Sequence, residues 1–300
     1  MTNVAPADRP ARLAVGVISA GRVGAVLGAA LQRAGHRLVG VSAVSRESRR
    51  RAESLVPEAP VLPPDEVAAV ADLLMVAVPD DVLPDLVRGL AASAVLRAGT
   101  MVAHTSGAHG ADVLEPLTRV GALPMALHPV MTFTGTEVDL QRLAGACFGV
   151  TAPDALRLAA EALVIEMGAE PVWIEEAARP LYHAALAVGA NHLVTLVAQS
   201  ADMLGQAGVE QPARMLGPLL GAALDNALRR GDLALTGPVA RGDAGTVRAH
   251  LATLDTPESI AAYVAMSRLT AVRALASGVL SAEGAEALLD VLAGGGSEAG

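Results

Sequence analysis

The stretch Gly16-Val17-Ile18-Ser19-Ala20-Gly21-Arg22-Val23-Gly24 decides how the rest of the chain is read. It ends a short apolar run, Leu13–Ile18, and opens a helical one near 22–34. A short apolar run bounded by a turn reads as a buried strand. Ser19, Gly21 and Gly24 occupy the three positions of the pattern G-x-G-x-x-G. A glycine at the second position lets the backbone approach a pyrophosphate, and one at the third lets the helix pack closely on the strand. The amides of the first helical turn then face the phosphates. Ser19 departs from the pattern at the tight-turn position, and serine makes that turn if its φ stays negative. A tight turn that binds nothing is the plain alternative. The context of first strand, turn and opening helix favours a dinucleotide instead, held by Ser19, Ala20, Gly21, Arg22, Val23 and Gly24.

Working outward, short apolar runs alternate with helical stretches. Leu38–Val44, Leu73–Val78, Met101–His104, Met125–Leu127 and Cys147–Thr151 read as further strands. Helices are expected near 46–55, 65–70 and 81–92. Strands alternating with helices predict a parallel, doubly wound sheet. After about residue 152 the texture changes. One more strand, Pro171–Ile174, precedes an almost wholly helical region with segments near 176–207, 212–229, 244–253, 257–277 and 282–293. The expected fold is α/β: a doubly wound, mainly parallel sheet over 12–152, then an all-α domain over 153–293. Flexible tails are expected at 1–11 and 294–300.

Composition excludes several function classes. The 300 residues carry 22 basic and 31 acidic side chains, a net charge of −9. An acidic chain does not suit a nucleic-acid backbone or an anionic membrane surface. All 22 basic residues are arginine, so lysine Schiff-base chemistry is unavailable. A single cysteine, Cys147, excludes an internal disulfide and any cysteine-clustered metal site. The seven histidines show no metal-ligand spacing. Two apolar stretches, Leu13–Leu31 and Ala184–Ala201, are each interrupted by polar residues, so no membrane span is expected and a cytoplasmic protein is.

The second strand ends Val44-Ser45-Arg46-Glu47. An acidic residue at that tip would hold the ribose of NAD, whereas Ser45 and Arg46 suit the 2′-phosphate of NADP. The alternatives are that Ser45 only caps the next helix, that the arginines form a solvated face, or that Glu47 takes the ribose. Later strand tips are also polar. In Ala77-Val78-Pro79-Asp80-Asp81, Val78 and Pro79 lie over the expected cofactor path and Asp80 is expected to cap a helix. His104-Thr105-Ser106-Gly107 and His128-Pro129 end two more strands. Ser106 and His128 are expected to face the reacting groups, and His104 the substrate, although one of these histidines could be structural. In the helical region His183 and Asn191 stand eight residues apart, about two turns, so they share a face, with Tyr182 and His192 offset; the alternative is a buried helix whose polar residues pair within the bundle. Arg241, in a polar loop with Asp243, could clamp a carboxylate, while Asp243 could simply start the next helix.

Taken together, GVISAGRVG, AVPDD, HTSG, LHPVMTF, YHAA…GANHL and GPVARGD resemble one family across about residues 12–293. It comprises oxidoreductases that pair a Rossmann-like domain with a helical domain of unknown function, the domain-of-unknown-function 2520 family. The plan is also similar to ketopantoate and pyrroline-5-carboxylate reductases and to 6-phosphogluconate and hydroxyisobutyrate dehydrogenases. The resemblance implies a C-terminal domain like that of 6-phosphogluconate dehydrogenase. The hydroxyacid enzymes use a lysine on the long helix, and in this chain His183 stands in that region. The expectation is an NADP-dependent oxidoreductase acting on a small carbonyl or imine. His128 or His183 would donate the proton, because histidine titrates near neutrality. Ser106 and Asn191 would hold the reacting group, and Arg241 a carboxylate. A non-catalytic NAD(P)-binding sensor or scaffold is the alternative. A homodimer through the apolar C-terminal helices is expected.

Overall fold

The structure is a computed structural model that describes residues 12–294. The expected tails therefore lie outside the described residues, except Gly294, which ends the last helix.

Seven strands form one sheet: β1 (Ala14–Ile18), β2 (Arg37–Val41), β3 (Leu73–Val76), β4 (Met101–His104), β5 (Leu123–Pro129), β6 (Cys147–Thr151) and β7 (Glu170–Trp173). Their spatial order is β2-β1-β3-β4-β5-β6-β7. The first five are mutually parallel; β6 runs antiparallel to β5, and β7 parallel to β6. β1, β3 and the body of β5 are fully buried, which is why they read as unbroken apolar runs rather than alternating ones. The flanking helices are α1 (Arg22–Arg33), α2 (Arg46–Leu55), α3 (Pro64–Val70), α4 (Leu83–Ser93), α5 (Glu115–Thr118), α6 (Glu137–Leu143) and α7 (Arg157–Glu166). Two clusters of apolar side chains sandwich the sheet. One includes Leu27, Leu31 and Met125, and the other Leu74, Val87 and Leu117.

The order reverses between β1 and β3, one strand going left to β2 and the chain then crossing to β3. That switch point opens a crevice beyond the carboxyl ends of the strands, where open α/β sheets take their ligands. Ile18 pairs with Val76 across it.

After β7 the chain turns into α8 (Arg179–Leu186), a π-turn (Ala187–Asn191) and α9 (His192–Gln206). α10 (Pro212–Arg230), α11 (Gly237–Arg241), α12 (Ala244–Leu251), α13 (Pro257–Ala276) and α14 (Ala282–Gly294) follow. Two compact units divide between Ala190 and Asn191. The first compact unit therefore runs past the change of texture at 152/153. β7 pairs with β6 through Phe148↔Pro171 and Gly149↔Val172, and so ties the next segment into the first unit. The second unit has its own core, built on Ala240, Val247, Ala274 and Leu288. Within it α9 buries no residue and α10 buries only Leu216. The stretch Glu176–Gln206 is long and apolar enough to cross a membrane by length and composition alone.

Candidate active site

The turn after β1 is built for close approach. A Cβ at Gly24 would fall 2.1 Å from the Ser19 carbonyl oxygen and 3.0 Å from Ala77 Cβ, so α1 can sit this near the two strand tips only with glycine there. A Cβ at Gly21 would meet only the Ser19 hydroxyl, at 3.5 Å, which leaves the space over the turn open. Gly21 is the N-cap of α1 and supplies no side-chain cap, so the first amides of the helix keep free donors. Ser19 has φ +75°, contrary to the expectation of a negative value. The turn demands the left-handed region whatever residue stands there, and the chain keeps serine against that strain. Its amide donates to Ser42 Oγ at 2.9 Å, which helps hold the turn to β2.

At the β2 tip, Ser45 is the N-cap of α2 and accepts from the Ser48 amide at 3.0 Å. The plain capping reading is therefore realised, with Arg46 exposed beside it. After β3, Val78 is half-buried and Pro79 exposed. Asp80 does not cap α4: the N-cap is Val82, and no side chain caps it. The first turn is instead closed by the Pro79 carbonyl, which accepts from Val82 and Leu83.

The tips of β4 and β5 and the helix α8 converge. His104 is fully buried, accepts from the Ser106 amide through Nδ1 (3.2 Å) and donates from Nε2 to the Gly110 carbonyl (2.8 Å). Burial above all, opposed by the Gly110 bond, brings its pKa down to about 4. His104 is therefore a neutral structural residue that shapes the 104–110 turn, not a substrate ligand. Ser106 is also buried and its Oγ accepts from the His109 amide, so the hydroxyl expected to face substrate folds the same turn. Glu176 anchors the turn from outside by accepting from the Ala111 amide at 2.8 Å.

His128 holds a different position. Its Nδ1 lies 2.7 Å from Tyr182 Oη, and its ring meets that of His183 edge-on, centroids 6.1 Å apart. A Cβ added to Gly107 would fall 3.0 Å from His128 Nε2 and 2.7 Å from His183 Cδ2. His128, His183 and the 104–110 turn thus share one place. Burial chiefly, then the charges of Arg179 and His183, pull His128 down to about 4. A proton passed on by His128 would therefore come from the neutral imidazole.

Two residues of this cluster were not anticipated as functional. Tyr182 rests on β6: a Cβ at Gly149 would be 2.3 Å from its hydroxyl. Arg179 is 1% exposed and donates to Thr151 Oγ1 (2.8 Å) and to the carbonyls of Gly149 (3.0 Å) and Ala126 (3.3 Å). Its Nη1 has no partner. The signal was present in the spacing, since Arg179, Tyr182 and His183 stand at i, i+3 and i+4 on one helix face.

Asn191 and Arg241 belong to the second unit, and both are exposed. The same-face argument for His183 and Asn191 does not hold, because the π-turn between them breaks the 3.6-residue register. Arg241 ends α11, and Asp243 caps α12 by accepting from the Thr246 amide at 2.9 Å.

Comparison with known proteins agrees with this plan. No functionally curated protein matches the sequence. Among solved structures, a Bacteroides fragilis protein classed provisionally as an NADP oxidoreductase aligns at 24% identity, covering 87% of this chain and 98% of its own, with a TM-score of 0.73. A Thermotoga maritima protein aligns at 19% identity over 88% of this chain and 99% of its own, with a TM-score of 0.64. Plasmodium falciparum pyrroline carboxylate reductase, solved with NADP bound, aligns at 10% identity over 96% and 98%, with a TM-score of 0.53. Residues 2–129 match the Rossmann-like domain and residues 146–270 match the domain of unknown function DUF2520. The chain belongs to the proteins that join a Rossmann-like domain to a DUF2520 domain.

Proposed function

We propose that the chain is an NADP-dependent oxidoreductase that moves hydride between the nicotinamide and the carbonyl or imine carbon of a small, carboxylate-bearing substrate. One observation carries this reading. The open, uncapped turn at the β1/β3 switch point lies in the same sheet, and at the same carboxyl ends, as the His128 cluster two strands away. The shared fold with a reductase that binds NADP supports it.

The turn fits a dinucleotide. Gly21 and the amides opening α1 would take the pyrophosphate, with Ser19, Ala20, Val23 and Gly24 forming its floor and Arg22 its rim. Ser45 and Arg46 would meet the 2′-phosphate, and Val78 and Pro79 would border the path toward the nicotinamide. When bound, the cofactor supplies the hydride chemistry. The chain supplies position and a proton. His128 presents a neutral imidazole to the reacting heteroatom, and His183 borders it.

The active form is a homodimer. Leu193, Val194, Leu219, Leu224 and Leu228 leave an apolar face on α9 and α10 that a second copy would cover. The protein works in the cytoplasm.

A thermal-shift titration with NADPH and NADH side by side tests the cofactor reading. A ligand at about 100 times its dissociation constant stabilises by roughly 2.7 kcal/mol, several degrees for a protein of this size. An NADPH preference that falls in Arg46→Ala is expected. No shift with either nucleotide would overturn the proposal.

A further inference from the structure

His128 and Tyr182 come from different elements, β5 and α8, and meet at 2.7 Å. The Tyr182 hydroxyl is pressed against the β6 backbone at Gly149, and His128 Nδ1 is its hydrogen-bond partner among the described residues. A confined phenol needs an acceptor for its proton. A neutral imidazole that accepts at Nδ1 carries its own proton at Nε2. That nitrogen faces Gly107 and lies beside His183.

Arg179 lies over the Tyr182 ring, its Cζ 5.6 Å from the ring centroid. The guanidinium is buried, bonded only to a hydroxyl and two carbonyls, with Nη1 unpartnered. No carboxylate lies within ion-pair distance of it among the described residues. A buried cation without an anion is costly to keep. The arrangement makes chemical sense if the anion is formed during turnover.

We propose that Tyr182, His128 and Arg179 are a proton relay, in which Nε2–H of His128 goes to the substrate heteroatom, the Tyr182 hydroxyl proton moves to Nδ1, and Arg179 holds the phenolate left behind. The relay rests on the reductase reading above. Its balance is simple. Reduced nicotinamide supplies the hydride to carbon. One N–H bond breaks at Nε2 and one O–H or N–H bond forms on the product. One O–H bond breaks at Tyr182 and one N–H bond forms at Nδ1. The negative charge ends on the Tyr182 oxygen and is cancelled by a proton from water.

The groups facing His128 are Arg179, Tyr182 and His183 from α8 and Asp80 from the loop after β3. Burial chiefly, then the charges of Arg179 and His183, hold His128 down against the opposing pull of Asp80, so it passes a proton on rather than storing one. Burial raises Tyr182 against the opposing pull of Arg179, so the phenol stays loaded.

The test is two-bond proton–nitrogen NMR of the full-length apo protein with nitrogen-15 histidine. His128 should be neutral and protonated at Nε2, and should stay so well below its ordinary midpoint. Tyr182→Phe, which keeps the ring, should remove that tautomer bias. Arg179→Gln should weaken the acidity of Tyr182 about tenfold or more. Ultraviolet absorbance reads this in a Tyr263→Phe background, since the chain has only two tyrosines. A proton at Nδ1 of His128, a His128 midpoint near 6.5, or an unmoved Tyr182 titration would overturn the relay. If Arg179→Gln fails to fold, Tyr182→Phe alone decides. In turnover with NADPH and a cyclic imino acid, Tyr182→Phe should lower kcat about a hundredfold with KM little changed. The NMR needs neither cofactor nor substrate, so a wrong tautomer refutes the relay alone, whereas absent NADPH binding refutes the reductase reading.

Discussion

Replacing Ser19 with glycine should stabilise the protein. The left-handed conformation costs an L-residue roughly 1–2 kcal/mol relative to glycine, and Ser19 sits in it at φ +75°. Glycine gives back about 0.5–1 kcal/mol through the greater freedom of the unfolded chain. Little else is lost. The Ser19 amide bond to Ser42 Oγ is a backbone donation and survives the change. The balance is about 0.5–1 kcal/mol in favour of Ser19→Gly. At about 2–4 °C per kcal/mol for a chain this large, the midpoint should rise by about 1–4 °C. Ser19→Ala is the control: it keeps the strain and should not rise. Calorimetry on the apo protein, with chemical denaturation alongside, reads both variants. A lower midpoint for Ser19→Gly would refute the reasoning. The hydroxyl, or a backbone relaxed in solution, would then be worth more than the strain.

Gly149→Ala places a Cβ 2.3 Å from the Tyr182 hydroxyl and must push that ring off β6. It should cost about 1–3 kcal/mol by denaturant unfolding and break the His128 contact in NMR; an unperturbed His128 signal would contradict the packing. His104 and His128 are both depressed from 6.5 to about 4 in the fold. Between those values the unfolded chain binds more protons, so stability is complete above pH 6.5 and is lost as pH falls toward 4. The slope is roughly 1.4 kcal/mol per pH unit for His104 and somewhat less for the partly exposed His128. Stability flat from pH 7 to 4.5 would reject this. Light scattering should give a dimer mass at micromolar concentration, and Leu228→Asp, at a side chain 79% exposed on α10, should weaken it. A monomeric parent protein would remove the basis for the apolar face.

Most of the sheet was legible because its central strands, β1, β3 and the body of β5, are buried on both faces and the strands are punctuated by Gly, Pro and Asp. β4 and β6 fall where the pattern places them. The helices were legible for a related reason: proline or a capping hydroxyl opens α10 and α13 at the expected places. Texture turns helical at 152 while hydrogen bonding continues to β7, so the first compact unit runs past the change in texture. Composition cannot show which strand a segment pairs with. The site was half legible. Polar residues at strand tips pointed to His128, since tips are where such sheets bind, and His183 stood out as a polar residue on an otherwise apolar helix. The sequence offered no way to tell His104, satisfied by Gly110, from His128, bonded to Tyr182. Arg179 was missed because an arginine at a helix start reads as surface, and only the antiparallel β5/β6 pair supplies the carbonyls that let it be buried.

That last arrangement gives the molecule an internal reporter. Arg179 bridges Ala126 on β5 to Gly149 and Thr151 on β6, across the one place where the sheet reverses direction. Its Nε proton, held by Thr151 away from water, can exchange with solvent only when this pair of strands comes apart. The exchange lifetime of that single side-chain proton would therefore time the opening of the reversed edge separately from the parallel strands. Any substitution that loosens the edge would shorten the lifetime before it changed the global unfolding midpoint.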